Sequence, residues 1–142
     1  MNISAKAEYA CLAMAELASR HQQRMPTSLK MIADTHHISQ PFLMQIFMQL
    51  KGARLVQALR GATGGYQLAR SPESIHLLEI IHAVDGLSGE ISALDDLPPA
   101  PMLRALQSVW KDKQRAEQQV LEDVTLADLT RRGSEAALEY QI

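Results

Sequence analysis

The sequence predicts a mainly α fold: a winged helix-turn-helix with a two-stranded wing, followed by a long C-terminal dimerisation helix. Three observations lead to it, namely two short amphipathic segments close together, a glycine-punctuated stretch behind them, and a long apolar stripe near the C-terminus. Only 4% of the 142 residues are aromatic, which favours helix-on-helix packing over a sandwich of aromatic-rich strands. This length fits one domain with an appended helix.

Three helices are predicted in the N-terminal part. Ser4 is a candidate N-cap for a helix over residues 5–20, whose apolar side chains recur at helical spacing. Thr27 or Ser28 can cap a second, short helix, and Ser39 can cap a third. Two short helices joined by a turn of three to four residues form a helix-turn-helix, whose second member enters the major groove of DNA.

The third helix has two chemically different faces. Apolar residues at i, i+3, i+4 and i+7 predict its core face: Leu43, Ile46, Phe47 and Leu50. The opposite face presents Gln40, Pro41, Met44, Gln45 and Met48. Either glutamine can hold adenine through two hydrogen bonds, and either methionine can touch a thymine methyl. The alternative for the methionines is packing against a neighbouring element of the fold.

A glycine-rich hairpin follows, Arg60-Gly61-Ala62-Thr63-Gly64-Gly65-Tyr66-Gln67-Leu68. Its glycines permit positive backbone φ angles without steric cost, which a tight turn between strands at 55–59 and 66–69 requires. A tip that carries Arg60 and Gly61 could reach a phosphate or a narrow minor groove. The alternative is a turn that only joins two strands.

Charge is distributed unevenly along the chain. Residues 1–72 contain eight Lys or Arg and three acids, a formal charge of +5, whereas residues 73–142 contain six bases and thirteen acids, a formal charge of −7. A basic front and an acidic rear would orient the molecule toward a polyanion. The alternative is that both faces are simply solvated. Four bases surround the third helix and the hairpin, where they would contact phosphates: Lys51, Arg54, Arg60 and Arg70.

Composition also predicts the compartment. No apolar run approaches the roughly 18 residues that a membrane span requires, and the first six residues lack the apolar core of a signal peptide. A single cysteine, Cys11, excludes an internal disulfide. We therefore expect a cytoplasmic protein with no membrane partner. Cys11 lies in the apolar stripe of the first helix, so we expect a buried structural thiol.

Four stretches carry a family pattern: Ser4 to Leu17, Ile38-Ser39 followed by Phe42-Leu43, Arg60 to Arg70, and Ile75 to Gly86. The wing reads Arg-Gly-x-x-Gly-Gly-Tyr-x-Leu-Ala, and Ile-x-Leu-x-x-Ile-x-x-Ala-Val-x-Gly follows it. Together they resemble the Rrf-type family of bacterial transcriptional regulators, the IscR and CymR group, over residues 1–86. The resemblance implies a homodimer that binds palindromic operator DNA through the third helix and the wing. It also implies DNA contacts at Tyr9, Ser28, Ser39, Gln40 and Arg60.

The chain departs from the family pattern in two places. Many cluster-binding members carry a glutamate in the recognition helix where this chain has Met44, so their operator preference does not transfer. Those members also bind an iron–sulfur cluster through three cysteines after the wing helix, and residues 87–104 contain neither cysteine nor histidine. A cluster needs several thiolates and the chain has one cysteine, so we expect no cysteine-ligated cluster.

The chain divides into a DNA-binding domain at 1–86, a linker at 87–101, and a dimerisation helix with a C-terminal tail at 102–142. Prolines at 98, 99 and 101 make the linker stiff. The long helix repeats apolar residues in steps of four and three, interrupted at Lys113, which approximates a heptad seam. The seam residues are Met102, Leu106, Val109, Ala116 and Val120.

Pairing of this seam with a second copy would set two recognition helices about 34 Å apart, one turn of DNA. The alternative is that the stripe packs back on its own domain. A last capped turn is predicted to begin at Thr125, and the tail beyond Gly133 is expected to fray.

The sequence predicts no enzyme, metal site or cofactor. Gly61 to Gly65 lacks the Gly-Lys-Ser/Thr of a phosphate loop, and the five histidines lack metal-ligand spacing. No serine or cysteine nucleophile has an identifiable base partner. We therefore expect a regulator that binds double-stranded DNA as a homodimer. The alternative is a protein-interaction module of the same fold acting through a metabolic enzyme partner, and a small-molecule effector is a further candidate partner.

Overall fold

The computed structural model describes residues 2–61, 64–86 and 91–140, without the side chain of Tyr140. Ala62 and Thr63 of the predicted hairpin, and residues 87–90 of the predicted linker, lie outside the described residues. In chain order the helices are α1 Ala5–Ser19, α2 Leu29–His36, α3 Gln40–Gly52, α4 Leu77–Asp85, α5 Pro101–Asp123 and α6 Leu126–Tyr140. The strands are β1 Val56–Leu59 and β2 Gly65–Leu68, and short 3-10 turns cover His21–Gln23, Pro72–Ser74 and Ala93–Asp96.

Serines fix the starts of the first three helices. The hydroxyl oxygens of Ser4, Ser28 and Ser39 each accept a hydrogen bond from the backbone N–H three residues on, at 3.0, 3.1 and 3.4 Å. Such a side chain satisfies a backbone donor that the helix itself leaves unpaired. Of the two predicted caps for α2, Ser28 forms the bond, whereas Thr27 is buried beside the wing. Ser4 also donates to Asp85 at 2.6 Å, which ties the start of α1 to the end of α4.

One hydrophobic core joins α1, α3, α4 and the base of the wing. The face predicted for α3 is confirmed, because all four of its core residues have no exposed surface: Leu43, Ile46, Phe47 and Leu50. Burial of an aliphatic or aromatic side chain of this size stabilises a fold by about 1.5–3 kcal/mol. The core therefore fixes which side of α3 faces outward.

The two strands form an antiparallel hairpin. Val56 lies opposite Leu68, and Leu59 lies opposite Gly65. The predicted mainly α fold with a two-stranded wing is thus confirmed, with strand limits one residue from the predicted ones.

The C-terminal segment differs from its prediction in one respect. Thr125 and Asp128 exchange the expected capping-box bonds, at 3.0 and 3.1 Å. The helix then continues to Tyr140, so the expected fraying beyond Gly133 is wrong. The start of α6 is anchored from a distance, because Leu126 is fully buried and an isolated bridge pairs His76 with Thr125. The division of the chain at residues 86 and 101 stays a prediction.

Candidate nucleic-acid interface

The operator face of α3 is its outward side, formed by Gln40, Pro41, Met44, Gln45 and Met48, and all five side chains are exposed. Met44 is 49% exposed and Met48 is 67% exposed. The alternative that these methionines pack against a neighbouring element is therefore wrong for this chain. Positions 41, 44, 45 and 48 lie on one side of the helix, since 3.6 residues complete each turn. A nearly uncharged, flexible surface of this kind suits contact with base edges.

Two hydroxyls lie at the starts of α2 and α3. Ser28 and Ser39 are both exposed, and each already accepts its capping hydrogen bond. A helix N-terminus attracts phosphate through its unpaired backbone N–H groups and its dipole. These two serines thus hold the starts of α2 and α3 in a geometry that can receive backbone phosphates.

Tyr9 links α1 to the start of α3. Its ring is 39% exposed and meets Phe42 edge-on, with centroids 5.9 Å apart and planes at 88°. Edge-to-face pairs of this kind add about 0.5–1.5 kcal/mol beyond area burial. The ring covers the edge of the core while part of it stays accessible, so its position is compatible with the DNA contact that the family resemblance implies.

The wing is attached to the helix-turn-helix at Tyr66. Its backbone N–H and carbonyl both pair with Thr27, each at 2.9 Å. Its ring lies against Phe47 of α3 with centroids 4.6 Å apart. Sequence reasoning missed this attachment, because a single residue pair outside a strand has no periodic pattern. It fixes the angle between the wing and α3, on which simultaneous contact with one DNA duplex depends.

The glycines of the hairpin act in two ways. Gly61 has a φ of 123°, which other residues adopt only with strain, as the prediction required. Gly65 lies in strand β2, and its role is close approach, because a Cβ there would come within 2.5 Å of the Thr27 carbonyl oxygen. The interpretation of Gly65 as a positive-φ turn residue is thus corrected.

Cations flank the operator face at two separate places. Lys51 is exposed in the last turn of α3, about 16 Å along the helix from Gln40. Arg60 and Gly61 are exposed where β1 ends, so they lie on the wing and not on α3. The structure therefore places the predicted cations on two separate elements, α3 and the wing, and not in one cluster.

Arg70, the fourth predicted phosphate contact, is paired with a carboxylate. Its guanidinium donates to both carboxylate oxygens of Glu79, at 2.9 and 3.1 Å, and to the carbonyl of Ser74. Partial burial raises the pKa of Glu79, but the bonds from Arg70 and from the His76 backbone outweigh it and leave that pKa below its ordinary value. Arg70 thus ties the exit of the wing to α4, and the phosphate contact predicted there stays a prediction.

The apolar seam predicted for α5 is uncovered in the single chain. Its five residues, Met102, Leu106, Val109, Ala116 and Val120, are all exposed. The half-buried residues of α5 lie on a different face, where Leu121 packs against the core and Gln107 donates to Asp95 at 3.3 Å. The alternative that the seam packs back on its own domain is therefore wrong.

The donor groups of the chain do not fit a cysteine-ligated iron–sulfur cluster. Such a cluster takes several thiolates, and the one cysteine is Cys11 in α1. Burial, followed by the charges of Asp85 and Glu8, raises the pKa of the Cys11 thiol to about 11. The thiol therefore stays protonated at neutral pH. Within the described ranges, no group of three or more His, Cys, Asp or Glu residues could hold a metal ion.

Comparison with known proteins places this architecture in a family. A family model described as Rrf2, iron-dependent transcriptional regulator, matches residues 3–132. The chain belongs to the Rrf2 family. The HTH-type transcriptional regulator CymR of Bacillus subtilis is 38% identical over 129 residues, which cover 91% of this chain and 89% of CymR.

Two solved structures agree with this membership. The structure of CymR, the global cysteine regulator of B. subtilis, matches with a TM-score of 0.82 and 36% identity over 93% of this chain and 98% of that chain. T. potens IscR matches with a TM-score of 0.78 and 35% identity over 96% of this chain and 90% of that chain. This Rrf2 chain is thus a DNA-binding transcriptional regulator, and its family and neighbours are regulators and not enzymes. None of the helices in its described part is long and apolar enough to cross a membrane.

Proposed function

We propose that this Rrf2 regulator binds palindromic operator DNA as a homodimer. The observation that carries the proposal is that α3 is buried on one face and exposed on the other, while Tyr66 attaches the wing to the same unit through Thr27 and Phe47. In the complex, Gln40, Gln45 and the two methionines would lie in the major groove. Tyr9, Ser28, Ser39, Lys51 and Arg60 would hold the phosphate backbone, with Gly61 letting the chain approach it closely.

The homodimer is supported by the exposed seam of α5. Met102 is 78% exposed and Val120 is 63% exposed, although both belong to a 23-residue helix. Two such seams packed together would bury this apolar surface and make a two-fold axis. A two-fold protein reads inverted half-sites one helical turn apart, about 10 base pairs from centre to centre.

We further propose that the protein works without a cysteine-ligated iron–sulfur cluster. The single cysteine and its raised pKa support this part of the proposal. Expression in iron-replete medium followed by anaerobic purification provides the test. A colourless protein that binds its operator is expected, whereas a chromophore lost in Cys11→Ser would contradict it.

Selection from random double-stranded DNA with the purified protein tests the main proposal. We expect inverted half-sites about 10 base pairs apart, with binding that weakens steeply as salt rises. Recovery of single, non-repeated sites, or of no sequence at all, would contradict it. Because the recovered site reports spacing and sequence together, one experiment tests symmetry and readout.

A second candidate function is an interaction with a metabolic enzyme through the acidic C-terminal half. The formal charge of −7 on residues 73–142 favours it, because a protein partner with a basic surface would be attracted there. Copurification of one stoichiometric protein that binds without operator DNA is the expected result. Loss of that partner at low salt, or its absence, would count against this function.

A further inference from the structure

A pocket of about 260 Å³ lies between the end of α1 and the base of the wing. Arg20, His21 and Arg24 line it from the connection that follows α1. Gln57 of β1 and Gln67 of β2 line it from the wing. The pocket therefore touches both strands of the wing and the segment that leads into α2.

The lining of this pocket is cationic. Among the described residues, no acidic side chain lines it. Arg20 is paired with Glu16 at 3.4 Å, and Glu16 also contacts His36 at 3.0 Å. Arg24, by contrast, forms no ion pair within the part of the chain that the structure describes. Guanidinium groups bind carboxylate and phosphate through paired N–H donors, and the two glutamine side chains offer further hydrogen bonds.

The backbone around Arg24 is held in a fixed shape. Arg24 has a φ of 54°, in the left-handed region, and its carbonyl accepts a hydrogen bond from the Gln67 side chain at 2.9 Å. Left-handed backbone is unusual for a residue with a side chain. The bond from Gln67 joins this segment directly to strand β2.

The pocket faces away from the tip of the wing. Thr27 pairs antiparallel with Tyr66, so the chain from Arg24 toward Ser28 runs toward the tip. A Cβ on Gly65 would lie near the Ser28 amide, whereas Arg24 lies at the Gln67 end of the strand. Arg24 therefore lies toward the Gln67 end of β2, whereas Arg60 follows Leu59, which pairs with Gly65 at the other end.

We propose that this pocket binds a small anion that carries a carboxylate or phosphate group, and that the bound anion tightens operator binding. The inference rests on the proposed DNA-binding function. The volume selects a ligand smaller than a typical drug-sized molecule, for which pockets span roughly 300–1,000 Å³. An anion bridging Arg24 and the wing would hold the wing against the helix-turn-helix, which reduces the ordering that DNA binding must impose.

Titration of the isotope-labelled full chain with inorganic phosphate, and separately with citrate, tests binding by NMR at constant ionic strength. We expect saturable shifts in the amides of residues 20–27 and 66–68 for at least one of the two probes, and a comparison of the two distinguishes phosphate from carboxylate ligands. Arg24→Gln should lower the affinity for that probe about tenfold, because one charge-assisted contact is lost. Absence of saturable shifts with both probes, or equal affinity in Arg24→Gln, overturns the proposal.

Operator affinity measured with and without the bound probe tests the coupling. We expect binding to be tighter by about fivefold or more with the probe, and Arg24→Gln to abolish that gain while leaving affinity without the probe unchanged. Arg60→Gln is the matched control, because it should weaken DNA binding and keep the NMR shifts.

Three outcomes contradict the proposal. An operator affinity that is the same with and without the probe shows that the pocket and the DNA site are not coupled. A weaker affinity with the probe shows coupling of the opposite sign. If Arg24→Gln weakens DNA binding without the probe as much as Arg60→Gln does, Arg24 contacts DNA and the pocket is not an anion site. A chain that binds the probe but no DNA overturns the proposed function and leaves the pocket established.

Discussion

Two helices of this molecule, α3 and α5, expose apolar side chains for different reasons. Four residues of α3 are fully buried, and its exposed apolar surface is confined to the operator face. None of the 23 residues of α5 is fully buried, and its exposed apolar residues repeat along its length. Helix α3 is thus held in place by its own chain, whereas α5 has an apolar face that its own chain leaves uncovered.

Because of this difference, substitutions on the two surfaces should have different consequences. Substitutions on the operator face of α3 should change DNA recognition and leave the fold intact, because the core face holds the helix. Substitutions on the seam of α5 should change assembly first, and DNA binding only as a consequence. Variants on the two faces should therefore separate DNA recognition from assembly.

A carboxylate in the seam should separate the two copies. In Val109→Glu we expect the dimer dissociation constant to rise roughly 100-fold or more, because an unpaired charge would be buried at the interface. Analytical ultracentrifugation measures it. Ser108→Glu adds the same charge one residue away, about 100° around the helix, and should remain dimeric. If the Val109→Glu protein dimerises as tightly as the parent, the seam is not the dimer interface.

The attachment of the wing should be sensitive to the size of one side chain. Gly65→Ala should destabilise the fold by about 1–3 kcal/mol, since the new Cβ would overlap the Thr27 carbonyl. Chemical denaturation measures this change. Gly52→Ala is the matched control, because no described residue outside its own stretch of helix lies within 4 Å of a Cβ at Gly52, and it should be neutral or slightly stabilising. Equal stability of the two variants would show that the wing is not held at Thr27.

The two kinds of DNA contact should respond differently to alanine. Arg60→Ala should weaken binding to all sequences and lower the slope against log salt by about 1, as loss of a phosphate contact predicts. Gln45→Ala should change preference among sequences by about 1–3 kcal/mol at one base pair. Fluorescence anisotropy on operator variants at two salt concentrations measures both. The assignment of Arg60 to phosphate and Gln45 to bases is contradicted if Arg60→Ala alters sequence preference and Gln45→Ala does not.

The smallest expected effect is a pH dependence at Glu79. Its pKa lies below the ordinary value of 4.5, so its stabilising contribution is present above pH 4.5 and is lost as pH falls through the folded pKa. Glu79→Gln should remove a contribution of about 0.5 kcal/mol that disappears in acid. Thermal unfolding at pH 6 and pH 3 measures it, with the exposed Glu73→Gln as control. Identical acid sensitivity in Glu79→Gln and the parent would contradict this role for Arg70.

The regular features of the fold could be predicted from the sequence. The core face of α3, the three serine caps, the hairpin and the long C-terminal helix follow from periodicity, capping residues and turn glycines, all of which act within a few residues. What could not be predicted are the contacts between distant segments. The bridges from Thr27 to Tyr66 and from His76 to Thr125 join residues 39 and 49 positions apart, and no local pattern marks them.

The candidate site follows the same division. Exposure of Gln45 and the two methionines could be predicted, because burial of the opposite face determines it. The ion pair between Arg70 and Glu79 could not be predicted, since the sequence does not show whether a basic residue contacts a phosphate or a carboxylate. The proposed anion pocket could not be predicted from the sequence either, because its lining comes from three segments of the chain.

In the proposed complex the α5 seams pair two copies, so that two α3 helices read one palindrome. Native mass spectrometry of the protein on its selected operator measures the number of chains bound per duplex. We predict two chains per duplex for the parent protein, and loss of that complex in Val109→Glu with retention in Ser108→Glu. A parent complex with one chain per duplex, at the same affinity as on a single half-site, would contradict the claim.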